Sequence, residues 1–302
     1  MDATTTFEAQ RPRLLALAYR MLGGVSDAED VVQDAWLRWE RAEARAEVAS
    51  PPAYLRTMVT RLCIDRLRHL KSRRESYVGT WLPEPVPEDM LAGTGEEAQA
   101  LADSLRFGVL LLLERLTPVQ RAVFVLRELL DCEYEEVAAA VGRSAATCRQ
   151  IFLRARARLG EELPPRGLPR AAAEAVVGEF LGALAARDLP RLTALLTDDA
   201  VALADHGGKA QAARKTVFGA DRVARLIHGL AGKAAHLPEP PVVEVTRLNG
   251  GLALVVRFGG QVHTVMTFEI QGPRISRLMI VRNPDKLRHL CQAPSETDVA
   301  GA

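Results

Sequence analysis

The chain has 302 residues, of which 48% are hydrophobic and 25% charged, and its formal net charge is +1. This length predicts about two domains with room for a third small one, and the composition is typical of a soluble globular protein. No apolar run approaches the roughly 20 residues of a membrane span, which excludes an integral membrane protein. Because Arg11, Arg13 and Arg20 interrupt any signal-peptide core, we expect a cytoplasmic protein.

The four cysteines lie far apart, with no C-x-x-C pair: Cys63, Cys132, Cys148 and Cys291. Such spacing argues against a disulfide framework and against a zinc knuckle. We therefore expect buried free thiols and no bound metal.

Residues 1–77 are predicted to form a helical domain with apolar positions at helical spacing. Gly23-Gly24 ends its first long helix, and Ser26 followed by Glu29 predicts a capping box that opens the second. Pro51-Pro52 marks the break before a third, basic helix.

Charge is distributed in blocks along this nearly neutral chain. Residues 28–47 carry six acids against three arginines, whereas residues 51–77 carry seven basic residues against two acids. Residues 143–158 contain five arginines and no acid. Two basic helices favour nucleic acid held at two places, with ordinary solvated helix faces as the alternative.

Residues 78–102 are predicted to be an acidic, Pro-rich linker, since they hold prolines, glycines and acids with few apolar residues. The exception is the segment Trp81-Leu82-Pro83-Glu84-Pro85. A tryptophan and a leucine in a polar linker are expected to dock on another part of the protein, and a chance hydrophobic pair is the alternative.

Residues 103–165 are predicted to contain a helix-turn-helix. A short helix ends at Gly142, Ser144 is a good N-cap, and a basic helix then extends to Leu159. Its inward positions are Cys148, Phe152, Ala155 and Leu159. Its outward positions are Thr147, Arg149, Gln150, Leu153, Arg154 and Arg158. Arginine and glutamine there can donate to guanine and adenine edges in a major groove, although a structural helix hairpin is also possible.

Residues 170–290 are predicted to form an α+β domain, followed by a flexible tail at 291–302. Three helices are expected at 171–187, 189–196 and 220–230, and four strands at 242–248, 252–258, 261–270 and 274–282. Asn249-Gly250-Gly251 and Gly259-Gly260 are hairpin turn signals, which indicate an antiparallel meander with helices over one face.

These residues carry a resemblance to a family. Residues 28–36 (AEDVVQDAW), 116–121 (LTPVQR) and the helix-turn-helix resemble conserved regions of extracytoplasmic-function sigma factors. Residues 170–290 resemble the SnoaL-like fold, which a subgroup of these factors carries as a fused domain. Three signatures of that subgroup are present: Trp81 to Pro85, residues 205–209 (DHGGK) and residues 283–287 (NPDKL). The sequence departs from the second at His206, where glycine is usual.

The resemblance implies a factor that binds core RNA polymerase and directs initiation at promoters with −35 and −10 elements. The residues it implies for polymerase binding are Asp30, Gln33, Asp34, Trp36 and Leu37. Those for the melted −10 strand are Arg56, Thr57, Thr60 and Arg61. Those for the −35 duplex are Thr147, Arg149, Gln150, Leu153 and Arg154.

The C-terminal domain is expected to regulate this activity within the same chain. The regulatory contacts are expected among Trp81, Leu82, Pro83, Glu84, Pro85, Asp205, Gly207, Gly208, Lys209, Asn283, Pro284, Asp285, Lys286 and Leu287. A small ligand in the domain is left open, and no cofactor is expected.

Two other classes of protein remain as alternatives. A stand-alone helix-turn-helix regulator explains residues 143–158 but gives residues 28–77 no role. An enzyme of the SnoaL-like fold could use Asp199, Asp205 and His206 as an acid–base set. Because no nucleophile or metal-ligand spacing accompanies them, we predict that the protein is not an enzyme.

Overall fold

The computed structural model describes residues 3–41, 48–87, 90, 105–160, 168–213 and 215–291. The predicted boundaries at 102 and 165 and the tail from 292 lie outside the described residues. The chain forms two compact units. The first comprises residues 1–77, 82–167 and 247–251, and the second comprises residues 78–81, 168–246 and 252–302.

The first unit begins with four helices: α1 (Ala3–Glu8), α2 (Arg11–Leu22), α3 (Val25–Arg41) and α4 (Pro51–Glu75). The left-handed Gly23, with a φ of 72°, ends α2 as predicted. The predicted Ser26–Glu29 capping box is wrong, because α3 already begins at Val25. The Val25 amide instead donates to the carboxylate of Glu84, 59 residues further along the chain.

The described residues of this unit contain four more helices: α5 (Phe107–Leu113), α6 (Pro118–Phe124), α7 (Tyr134–Val141) and α8 (Ala145–Leu159). A π-helical turn (Val125–Leu129) continues α6, whose start is closed by a Thr117–Gln120 capping box. The buried side chains of these helices and of α2, α3 and α4 form one continuous hydrophobic cluster. The two predicted helical domains therefore share a core.

The second unit has three helices and a six-stranded sheet among its described residues. The helices are α9 (Arg170–Ala185), α10 (Leu189–Ala194) and α11 (Ala220–Ala235). The strands are β1 (Leu196–Asp205), β2 (Val217–Phe218), β3 (Val242–Leu248), β4 (Gly251–Phe258), β5 (Gln261–Gln271) and β6 (Arg274–Val281). They follow the order β2-β1-β6-β5-β4-β3. Two helical parts followed by an α+β domain confirm the predicted fold class.

The sheet departs from the predicted meander at β1. No strand was predicted at 196–205, and the second helix was expected to end at residue 196, yet these residues are extended and pair in parallel with β6. Alanines at alternate positions, Ala200, Ala202 and Ala204, are buried under the helices. Small side chains there allow the helices to approach the sheet, and propensity gives no sign of this strand.

The helices cover one face of the sheet and fill it with apolar side chains. Phe180 of α9 packs on Phe268 of β5 with ring centroids 5.4 Å apart. Val223 and Ile227 of α11 join the same buried cluster as Leu254 of β4. No helix in the described part of the chain is long and apolar enough to cross a membrane.

Candidate nucleic-acid interface

Helix α8 has one buried and one exposed face, as the helix-turn-helix prediction requires. Ser144 caps it, since its hydroxyl oxygen accepts from the Thr147 amide at 3.1 Å. The inward residues Cys148, Phe152, Ala155 and Leu159 are all buried. On the other face, Arg149, Gln150, Leu153 and Arg154 are exposed.

Leu153 is the most informative residue on this face. It is 65% exposed, although the side chains on the opposite face of α8 are packed in the core. The guanidinium of neighbouring Arg149 lies 4.9 Å from the ring centroid of Tyr134, which orients it along the helix surface. Thr147 is half-buried, and its hydroxyl lies 2.8 Å from that of Ser144. The face is apolar and cationic at once, which suits thymine methyls and base edges.

The basic face of α4 is arranged differently. Thr60 is fully buried, and its hydroxyl donates to the Arg56 carbonyl at 2.8 Å, so in this conformation it offers no surface to a DNA strand. Thr57 is half-buried. Arg56 and Arg61 reach the surface, but both contact helix α7. No feature of the sequence indicated these contacts.

Helix α3 exposes an acidic face. Asp30, Gln33, Asp34 and Leu37 are exposed, whereas Trp36 is half-buried with its ring centroid 5.1 Å from that of Phe7. Arg66 of α4 donates to Asp27 at 2.5 Å and to Asp30 at 3.2 Å. The hydrogen bond to Asp27 raises the pKa of Arg66, which stays charged and offsets part of the acidic face. The exposed Asp34 lies further along this face.

Residues Leu82 to Val86 dock on the turn between α2 and α3. Leu82 and Val86 are fully buried, which agrees with the expected docking. The Glu84 amide donates to the Gly23 carbonyl at 2.9 Å, and its carboxylate accepts from the Val25 amide at 2.8 Å. A carboxylate at the start of α3 also suits the positive end of the helix dipole.

Asn249, at the tip of the β3–β4 hairpin, belongs to the first unit. Its backbone is left-handed with a φ of 53°, a conformation that asparagine tolerates better than most residues. Its side chain accepts from the Val86 amide at 2.8 Å and donates to the Tyr19 hydroxyl at 2.6 Å and the Leu105 carbonyl at 3.3 Å. Tyr19 in turn donates to the Glu84 carbonyl.

Tyr19 and Asn249 are both buried, so this network is shielded from water. Burial raises the pKa of Tyr19 and keeps its hydroxyl available as a donor. We define the buried network by Tyr19, Glu84, Val86, Leu105 and Asn249. The sequence identified Asn249 only as a turn residue.

In the second unit, Trp81 lies beside the signatures at 205–209 and 283–287. Lys286 is buried and forms an ion pair with buried Asp205 at 2.7 Å. Its ammonium also lies 4.3 Å from the Trp81 ring centroid, a cation–π contact. Lys209 pairs with Asp285 at the surface. The structure thus brings Trp81 to the second and third signatures, whereas Leu82 to Pro85 of the predicted set lie in the first unit.

His206 fits this cluster through the glycines around it. It is 7% exposed, and its Nδ1 accepts from the Gly208 amide at 3.0 Å. A Cβ on Gly79 would lie 2.6 Å from its Nε2, so only glycine leaves room for the ring. A Cβ on Gly207 would likewise overlap the Asn283 side chain. The histidine that departs from the family pattern therefore packs on the chain just before Trp81.

The three candidate acid–base residues do not form a catalytic set. Asp199 is exposed and lies six positions before Asp205 on β1, which is about 20 Å along a strand. Asp205 is bound to Lys286. Among the described residues, no group of histidine, cysteine and carboxylate side chains could hold a metal ion. The four cysteines are free thiols, of which three are buried as predicted and Cys291 is only half-buried. Burial raises the pKa of Cys63.

Comparisons with known proteins agree with this arrangement. The Sigma-70 region 2 model matches residues 6–73, and the Sigma-70 region 4 model matches residues 106–159. The chain is 38% identical to the ECF RNA polymerase sigma factor SigJ of Mycobacterium tuberculosis, over 93% of this chain and 91% of that protein. It is 30% identical to a probable ECF sigma factor, SigI, of the same species over 94% of each chain. The crystal structure of SigJ superposes with a TM-score of 0.73 at 34% identity, covering 94% of this chain and 98% of that one.

Proposed function

The chain belongs to the extracytoplasmic-function sigma factors of RNA polymerase, and from that premise we propose which surfaces read the promoter and how the C-terminal domain takes part. As a member of this family it is not an enzyme. Its partners are RNA polymerase and promoter DNA, and we place its work in the cytoplasm, where transcription initiates.

We propose that the exposed face of α8 binds the −35 element. Gln150, Leu153 and Arg154 project from a helix whose other side is buried in the core. A major groove admits one α-helix, and the amide and guanidinium groups match adenine and guanine edges. Arg149 lies at the edge of the same face, beside Tyr134.

The −10 strand and the polymerase are assigned to the four-helix part. Arg56 and Arg61 on α4 supply cationic donors for a melted strand, with Thr57 beside them. The exposed acids of α3, with Asp34 near the middle, suit a basic surface on the polymerase. Because Thr60 is buried, we assign it to the packing of α4 and not to DNA.

Regulation in cis is supported by the position of Asn249. This residue lies in the C-terminal part of the chain, yet it bonds within the buried network that holds the Glu84 segment on α2 and α3. A change that moved the β3–β4 hairpin would break those bonds. The helix that we assign to polymerase docking would then lose the support of its first turn. The helix-covered face of the sheet is filled with apolar side chains, and we propose no ligand for it.

Run-off transcription with core RNA polymerase tests the promoter assignment. Templates would be selected from genomic fragments that the holoenzyme retains. The R149A/Q150A double variant is expected to lose at least about 30-fold in specific transcription, because it removes two base contacts of about 1–3 kcal/mol each. The R158A variant, more than two turns further along α8, is the matched control and should lose far less.

Two results would contradict this function. Initiation that is unchanged in the double variant would remove α8 from promoter reading. Tight binding of a specific duplex without polymerase, together with no initiation in its presence, would favour a stand-alone regulator.

Regulation in cis is tested with point variants and not by truncation. A chain cut after residue 165 would lose Asn249, which is a structural member of the first unit, so its altered activity could not be assigned to the C-terminal domain. The W81A and K209A variants keep that residue and should change transcription while leaving the affinity for core polymerase nearly unchanged. Unchanged transcription in both variants would contradict a regulatory role for this cluster.

A further inference from the structure

The two arginines assigned to the −10 strand already have partners inside the first unit. Arg61 donates from Nη2 to the Ala139 carbonyl at 2.8 Å and from Nε to the Ala140 carbonyl at 3.1 Å. Arg56 pairs with Glu136. All three acceptors lie on α7, the first helix of the helix-turn-helix.

In the Arg61 contact, backbone carbonyls at the C-terminal end of α7 take the place of an anion. The last carbonyls of a helix have no partner within it and carry the negative end of the helix dipole. Ala139 and Ala140 stand in that last turn, just before the left-handed Gly142 ends the helix. A guanidinium that donates to both resembles one that clamps two oxygens of a phosphate.

The Arg56 contact adds a side-chain carboxylate to this surface. Glu136 serves two groups, because one oxygen accepts from the Glu133 amide at 3.1 Å and the other binds Arg56. The side chains of Arg56 and Glu136 are 30% and 44% exposed, so the pair can exchange with ions from solvent. Helix α7 therefore presents carbonyls and a carboxylate where a DNA strand would present phosphates.

A buried arginine also joins the helices of region 4 to those of region 2. Arg121 of α6 is 2% exposed and donates to the Met21 carbonyl at the end of α2, at 2.8 Å. It also donates to the Leu113 carbonyl at 2.9 Å. The helices of the two sigma regions are thus held together by polar bonds as well as by their shared core.

We propose that helix α7 acts as an internal mimic of the DNA backbone, which covers the −10-binding face of α4 in the free protein. The −10 strand and α7 compete for Arg56 and Arg61, while the −35 face of α8 stays exposed. This inference rests on the proposed function, since it takes α4 as the surface for the −10 strand. Binding to polymerase or DNA must therefore separate α7 from α4 before that strand can be held.

The test compares two full-length variants that each remove one negative charge. E136Q removes the carboxylate facing Arg56 but keeps an amide that can still complete the capping box. E128Q is the control, because Glu128 is exposed and has no ion pair in the described part of the chain. The probe is a fluorescein-labelled 12-nucleotide single-stranded DNA of mixed sequence, followed by anisotropy at 50 and 150 mM salt.

We expect E136Q to bind this DNA about two- to fivefold more tightly than E128Q, which is the range that an exposed ion pair controls. The gain should disappear when R56A is added to E136Q, because Arg56 is the group released. Thermal melting shows that each variant is folded.

Equal affinities for E136Q and E128Q would overturn the proposal, and so would a gain that persists in the R56A background. Run-off transcription separates this failure from that of the proposed function. If the wild-type chain initiates at selected promoters while E136Q matches E128Q, only the competition by α7 is wrong. If the wild type never initiates, the promoter assignment itself fails.

Discussion

The signature from Trp81 to Pro85 is divided between the two compact units, and its two parts are held by different forces. Leu82 to Pro85 are held in the first unit by burial of Leu82 and by the hydrogen bonds of Glu84. Trp81 belongs to the second unit and lies half-buried over the ammonium of Lys286. One short sequence thus serves two partners, and a substitution on one side of the Trp81–Leu82 bond should affect one unit first.

The largest expected effect is on the Trp81 side. The K286M variant removes the buried partner of Asp205, and breaking a buried ion pair costs about 3–5 kcal/mol. Urea unfolding followed by circular dichroism measures the loss. The K233M variant, at an exposed lysine of α11, should lose less than about 0.5 kcal/mol. A small loss for K286M would show that water or another cation replaces the ammonium.

The next effect lies in the buried network on the other side. The N249A variant leaves the Val86 amide and the Leu105 carbonyl without their partner, and we expect a loss of about 2 kcal/mol in unfolding free energy. The N249G variant keeps the left-handed backbone and should lose nearly as much. If N249G is as stable as the wild type, backbone conformation matters and the side-chain bonds do not.

A smaller effect is expected at the start of α3. The E84A variant removes the acceptor for the Val25 amide and should cost about 1 kcal/mol, as the loss of an N-cap does. The E84Q variant retains an acceptor oxygen without the charge and should fall between E84A and the wild type. Amide hydrogen exchange at Val25 reports the cap directly, and protection that is unchanged in E84A would contradict it.

The smallest effect is expected at the surface pair of the second unit. Lys209 and Asp285 have side chains that are 54% and 38% exposed, and exposed pairs contribute about 0–1 kcal/mol. The K209A and D285N variants should each change the unfolding free energy by less than about 1 kcal/mol. Their effect should also shrink as salt is added. A loss as large as that of K286M would remove the distinction between the buried and the exposed pair.

Local patterns predicted most of the elements. The helix-turn-helix, with Gly142 as C-cap and Ser144 as N-cap, follows from turn chemistry and apolar spacing within 30 residues. The last four strands were predicted because glycine turns separate runs of β-branched residues. Strand β1 was missed, since its alanines carry no strand propensity and its partner β6 lies about 75 residues away.

Contacts between distant residues could not be predicted. Ser26 and Glu29 matched a capping pattern, but the acceptor that caps α3 is Glu84, which the local sequence does not reveal. Asn249 signalled a turn, and nothing in its neighbours indicates bonds to Tyr19, 230 positions earlier. Arg56 and Arg61 were identified as cationic, while their engagement by α7 depends on how the helices pack.

The hydrogen bonds between Asn249 and residues far earlier in the chain have a consequence for folding during translation. A ribosome releases the chain from its N-terminus, so α2 and α3 emerge long before residue 249 is synthesised. Until then the Val86 amide has no Asn249 side chain to accept its hydrogen bond, and Tyr19 lacks one of its bonding partners. These last hydrogen bonds of the N-terminal helices therefore form only when most of the polypeptide has been translated, and a nascent or prematurely terminated chain lacks the fully bonded first unit.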